Sequence, residues 1–260
     1  MDEIIKIKEE GYTEYEELLL RRDRLRKEAH LLQKEYTAEF GTLITAIFEK
    51  KISCIRKKKT ISFCQTTLNY GTKIDQDALQ EYLAQEMQEY EKQLTDMIRE
   101  NEAVRNLEYI SGETVIKIKR LYHKLAKKIH PDIFPKTNEI PELKDLWQMI
   151  VVSYNANDLE ELQDAEVLVN KFLSDKGISD EQIQIHNIRE KIEQIREQIL
   201  KIKGTNPYQY KFLLRDRQCV ERKKQELRQT FKEYDEYEQT LDQVLEQIMA
   251  DGVSFVWHMN

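Results

Sequence analysis

Residues whose types could do chemistry are concentrated in one stretch, LYHKLAKKIHPDIFP, running from Leu121 to Pro135. His130, Pro131 and Asp132 stand together in it, directly after a lysine-rich run. An imidazole beside a carboxylate could move a proton, ligate a metal or present charge to another molecule. Nucleophilic catalysis is the weakest of these, because no Cys or Ser nucleophile stands close by in the sequence. A metal site lacks its second ligand, since His123 lies seven residues back on another part of the same helix. Two readings remain. Pro131 disfavours helical backbone at the residue before it and Asp132 can cap its own turn, which together make an ordinary helix stop. The alternative is a contact point for another molecule.

The elements around the tripeptide limit where it can sit. Val115, Ile118, Tyr122, Leu125 and Ile129 share one face of a helix expected over 114–129, capped by Thr114. Lys117, Arg120, Lys124, Lys127 and Lys128 fall on the opposite face. Leu143, Leu146, Trp147, Ile150 and Tyr154 form a matching stripe on a helix expected over 141–154. A third helix, over 158–173, starts at Asp158 with Glu161 as in a capping box. Packing the two stripes antiparallel brings Ile129 and Leu143 to the loop end and buries Trp147 between the helices. His130, Pro131 and Asp132 are then expected to be exposed at the tip.

Long helices flank this module. Tyr15, Leu18, Arg22, Leu25, Ala29, Leu32, Tyr36, Leu43 and Ile47 line one seam of the first. NYGTKID, from Asn69 to Asp75, reads as a helix end, a turn and a new start. Leu79, Leu83, Met87, Tyr90, Leu94 and Met97 then line a second seam, so the two helices should fold back as a hairpin. Near the other end, Ile185, Ile188, Ile192, Ile195, Ile199 and Ile202 keep a strict alternation of three and four. After a break at KGTNPY, 203–208, Leu213, Val220, Leu227, Tyr234, Leu241 and Ile248 recur every seven residues. Isoleucine at both seam positions favours more than two helices, so the hairpins pack either on each other or on a second copy of the chain. The expected fold is all-α: two long antiparallel hairpins of coiled-coil type, 1–110 and 178–250, flanking a short helical module at 111–175, with a tail at 251–260.

Composition agrees. The chain has 260 residues, 34% charged, with 7 Gly and 4 Pro, which leaves few places to turn. A net charge of −7 argues against a dedicated nucleic-acid binder. The basic run KKISCIRKKK, 50–59, is adequately explained as one solvated helix face. No apolar run is long enough to span a membrane, and MDEIIKIKEE lacks a signal-peptide core, so a cytoplasmic setting is expected. Three scattered cysteines suit neither a disulfide framework nor a zinc site.

The whole pattern is more specific than its parts. IKRLYHKLAKKIHPD, followed by a short loop and LWQMIVVSY, resembles the J domain of DnaJ-type co-chaperones over about 60 of the 260 residues. The resemblance implies a non-enzymatic protein without cofactor or metal that docks on a DnaK-type chaperone and stimulates its ATP hydrolysis. His130, Pro131 and Asp132 would be the signature, and Lys117, Arg120, Lys124, Lys127 and Lys128 the charged docking face. The hairpins would then select an unknown client. The family's short first helix is missing before Thr114, and Val104, Leu107 and Ile110 are expected to cover the core in its place. Ile133 stands where a basic residue is common. Gly-rich zinc-binding and Gly/Phe segments are absent. The competing reading is a coiled-coil scaffold whose J-like module no longer couples to a chaperone.

Overall fold

The computed structural model describes residues 2–71, 73–105, 111–176, 188–250 and 255–256. Among them the fold is all-α. Long helices α1 (Asp2–Asn69) and α2 (Gln76–Arg105) are followed by α3 (Gly112–Ile129), α4 (Lys136–Glu139), α5 (Pro141–Ala156) and α6 (Leu159–Asp175). Then come α7 (Ile188–Gly204), α8 (Tyr210–Leu214) and α9 (Arg217–Ala250). Among the described residues the strand content is two two-residue strands, β1 (Ile74–Asp75) paired in parallel with β2 (Phe255–Val256). Among the described residues no helix is long and apolar enough to cross a membrane.

Local signals account for most boundaries. Asp158 accepts from the Glu161 N–H and starts α6 as expected, whereas α3 is capped by Ser111, which accepts from the Thr114 N–H. Thr114 therefore sits inside the first turn. Gly71 ends the turn after α1 at φ +68, a conformation that glycine adopts without strain. His130 leaves α3 in an extended conformation, φ −61 and ψ 128, as a residue before proline should.

The chain divides into two compact units. Met1–Gln33 with Glu108–Gln209 forms one, and Lys34–Leu107 with Tyr210–Asn260 the other. The sequence segments 1–110 and 178–250 are thus each shared between both units. In the second unit α1 and α2 pair antiparallel: Asn101 donates to Thr45, Phe63 meets Tyr82, and Arg56 and Lys59 pair with Glu91 and Glu86. A Cβ at Gly41 would collide with the Asn101 side chain, which would have to move to admit it. Parallel to α1 lies α9, joined by Lys50–Asp235 at 2.6 Å, Lys50–Glu238 at 2.7 Å and Lys57–Asp242 at 2.5 Å. The basic run at 50–59 is therefore largely matched by carboxylates of α2 and α9 rather than left to solvent.

In the first unit α3, α5 and α6 share one core. Ile118, Leu125, Ile129, Leu143, Ile150, Leu162 and Val169 are fully buried, each contributing roughly 1.5–3 kcal/mol. Tyr122 and Tyr154 stack across α3 and α5 with ring centroids 3.9 Å apart. Two expectations fail here. Val115 is exposed, and Trp147 is only half-buried: its ring packs on the core beside Tyr122 of α3 and also lies edge-on to His130. The cover over this core comes from α1, whose Leu20 enters it. Leu107 and Ile110, expected in that role, lie outside the described residues, as does Ile185 of the isoleucine seam. Ile192, Ile195 and Ile199 of α7 pack on Tyr15, Leu19 and Leu25 of α1.

Candidate functional site

The His-Pro-Asp loop is closed by its own backbone. Ile133 and Phe134 N–H groups donate to the His130 carbonyl at 2.8 and 2.7 Å, and the buried Thr137 hydroxyl donates to the Ile129 carbonyl at 2.9 Å. The carbonyls of Ile129 and His130 at the end of α3 are thereby satisfied within the loop.

The expected exposure of His130 does not hold: its relative accessibility is 4%. Its ring lies edge-on to Trp147, centroids 4.7 Å apart. Nδ1 accepts from the Asp132 N–H at 3.0 Å, which assigns the ring hydrogen to Nε2, and Nε2 lies 3.3 Å from Asp23 Oδ2. Nη2 of Arg22 lies 3.4 Å from the same Nε2 and, both being donors, is a neighbour rather than a partner. Pro131 and Asp132 are half-buried.

The groups facing the signature come from α1. Arg22 and Asp23 are 6% and 8% exposed and bond each other at 3.0 Å. Arg22 Nη1 donates to Asp132 Oδ2 at 3.2 Å, and the Tyr15 hydroxyl to the Asp132 carbonyl at 3.4 Å. The Tyr122 hydroxyl donates to Asp23 Oδ2 at 2.9 Å. Lys27, also buried, donates to the Tyr154 carbonyl at 2.7 Å with its ammonium 3.8 Å from that ring's centroid. Burial by itself would raise the Asp23 carboxyl, but the His130 contact and the Arg22 charge outweigh it and hold the group down to about 2. Burial, then the Asp132 charge, pushes the Tyr15 hydroxyl up to about 12.

The basic face of α3 is where the sequence places it, but much of it has partners. Lys117 pairs with Glu113 at 2.9 Å and Lys127 with Glu16 at 2.7 Å. The Lys124 ammonium lies 2.6 Å from Glu166 Oε1, which is without a properly angled hydrogen bond, so that contact is an ion pair only. Lys128 donates to Asn170 at 2.5 Å. Arg120 is exposed and forms no ion pair among the described residues. Lys117, Lys124 and Lys127 keep more than half of their side-chain surface, so these pairs are weak and exchangeable.

Neither a family model, nor a curated protein, nor a solved structure matches this chain.

Sequence spacing did not reveal Asp23 and Lys27. Arg22 stands in the apolar seam Tyr15–Leu18–Arg22–Leu25 with no role assigned from the sequence, although a charge there requires a buried partner, which Asp23 and Asp132 supply.

Proposed function

We propose that this chain is a co-chaperone or chaperone-recruiting adaptor whose J-like module docks a DnaK-type ATPase. His130, Pro131 and Asp132 form the docking point, and Lys117, Arg120, Lys124, Lys127 and Lys128 the charged face beside it. The observation that carries this reading is the antiparallel α3–α5 pair ending in a rigid His-Pro-Asp loop, with a row of cations along the accessible side of α3. No bond is made or broken by the chain itself. Its effect is allosteric, a preference for the ATPase conformation that hydrolyses ATP. The working compartment is the cytoplasm, and the surfaces outside the module would engage a client.

Single-turnover ATP hydrolysis by a DnaK-type chaperone from the same cell tests this. Added protein should accelerate hydrolysis several-fold, and Lys124→Glu with Lys127→Glu should remove most of the acceleration. If the wild type accelerates nothing, the reading falls. The second reading, a scaffold in which the tripeptide serves only the fold, is favoured by the burial of His130.

A further inference from the structure

We infer that Tyr15–Lys27 of α1 is a removable cover on the His-Pro-Asp loop, so that chaperone docking competes with the chain's own helix. The inference rests on the docking reading above and adds a regulation to it. Both groups that a partner would have to reach are already engaged: the His130 ring by Asp23, and the Asp132 carboxylate by Arg22. The Asp132 carbonyl is engaged by Tyr15 as well. In this arrangement α1 occupies the position that the docking reading assigns to a partner.

The chemistry of the contact explains why the cover can leave. The apolar side of α1 belongs to α7: Tyr15, Leu19 and Leu25 pack on Ile192, Ile195 and Ile199. Among the described residues, the buried apolar side chains that join one group to the other are Leu20 of α1, which enters the α3–α5–α6 core, and Ile133 of the loop, which enters the α1–α7 cluster. Charged groups and tyrosine hydroxyls make much of the remaining contact. Buried ion pairs contribute little net stability, because desolvation offsets their attraction. A partner that brings its own cation to Asp132 would exchange one ion pair for another at small cost, whereas separating α1 from α7 would expose a continuous apolar seam. The site also offers a foothold: a cleft of about 370 Å³ beside Pro131, Trp147 and Val151, and an Asp132 side chain that remains 44% accessible. While the cover is closed, the affinity of the chain for a chaperone is reduced by the fraction of molecules that are open.

The experiment is diethyl pyrocarbonate labelling of His130 in the full chain, read by peptide mass spectrometry, alongside single-turnover hydrolysis by the DnaK-type chaperone. Arg22→Gln removes the ion pairs to Asp132 and Asp23 without touching the signature. It should label His130 on the order of tenfold faster than the wild type, since labelling follows the open population, and should stimulate hydrolysis more strongly. Unchanged labelling in a folded Arg22→Gln chain would overturn the cover, and so would faster labelling with weaker stimulation. If neither protein stimulates hydrolysis while labelling still rises, the docking reading falls and the cover alone stands. Should Arg22→Gln not fold, amide exchange in the wild type decides. The Tyr15–Lys27 amides should open below the global unfolding free energy while those of α3 and α5 do not, and simultaneous opening of all three would refute the inference.

Discussion

The chain uses two sets of charges on the same long helix in opposite ways. Around the His-Pro-Asp loop, Arg22, Asp23 and Lys27 are withdrawn from water and meet His130, Asp132 and Tyr154. Farther along α1, Lys50 and Lys57 meet Asp235, Glu238 and Asp242 of α9 at a surface where most of these side chains stay partly accessible. The first set loses hydration and must be matched group for group, so it fixes one arrangement without adding much stability. The second keeps its water and tolerates error, while Cys54, Ile61 and Leu241 supply the apolar contact. Only the first set is placed to govern access to a site.

The contrast is sharpest for Asp23→Ala, which should destabilise the chain by about 3–5 kcal/mol in urea titration because Arg22 is left buried without its anion. A loss no larger than that from Glu238→Ala would break the comparison.

Acid should act next. Asp23 binds its proton less readily in the folded chain than its ordinary value of 3.8, so its contribution is fully present above about pH 4 and is lost as pH falls toward about 2. That contribution is about 2 kcal/mol, and Asp23→Asn should flatten the acid limb of a stability–pH profile by this amount. High salt should leave the difference largely intact, since a buried pair is poorly screened.

His130→Gln should cost about 1–3 kcal/mol, the usual loss when buried hydrogen-bonding partners are disturbed, rather than the negligible cost of an exposed loop residue. A smaller loss in thermal unfolding would mean that the ring is not held by Asp23 and the Asp132 N–H. It follows that His130→Gln alone is a poor probe of docking, because it disturbs fold and signature together.

Glu238→Ala should cost no more than about 1 kcal/mol and should vanish in 1 M salt. Smallest of all, Lys124→Glu with Lys127→Glu should change stability by only a few tenths of a kcal/mol by calorimetry, while abolishing any salt-sensitive chaperone recruitment.

Much of the local structure was legible. The break at Gly71, the start at Asp158 and the exit from α3 before Pro131 follow from backbone preferences that act over a few residues. Buried faces were legible too, because Ile118, Tyr122, Leu125 and Ile129 recur at helical spacing, although Val115 in the first turn of the same stripe is exposed. The position of the lysines on α3 was equally plain. Their partners were not, since Glu16 and Glu166 belong to helices whose approach no spacing rule predicts.

By itself the sequence determined an all-α chain, several of its helix ends, and the His-Pro-Asp loop between two amphipathic helices, because those features depend on neighbours within a turn or two. Tertiary structure decided which seam met which. The isoleucines of α7 went to the start of α1, the heptad of α9 to a later stretch of it, and Arg22 and Asp23 came to lie on a loop more than a hundred residues away. The physical reason is that an apolar stripe demands burial but is nearly indifferent to which stripe buries it. A buried charge is not indifferent, and the pairing of Asp23 with His130 and of Arg22 with Asp132 turns an expected exposed tip into a covered one.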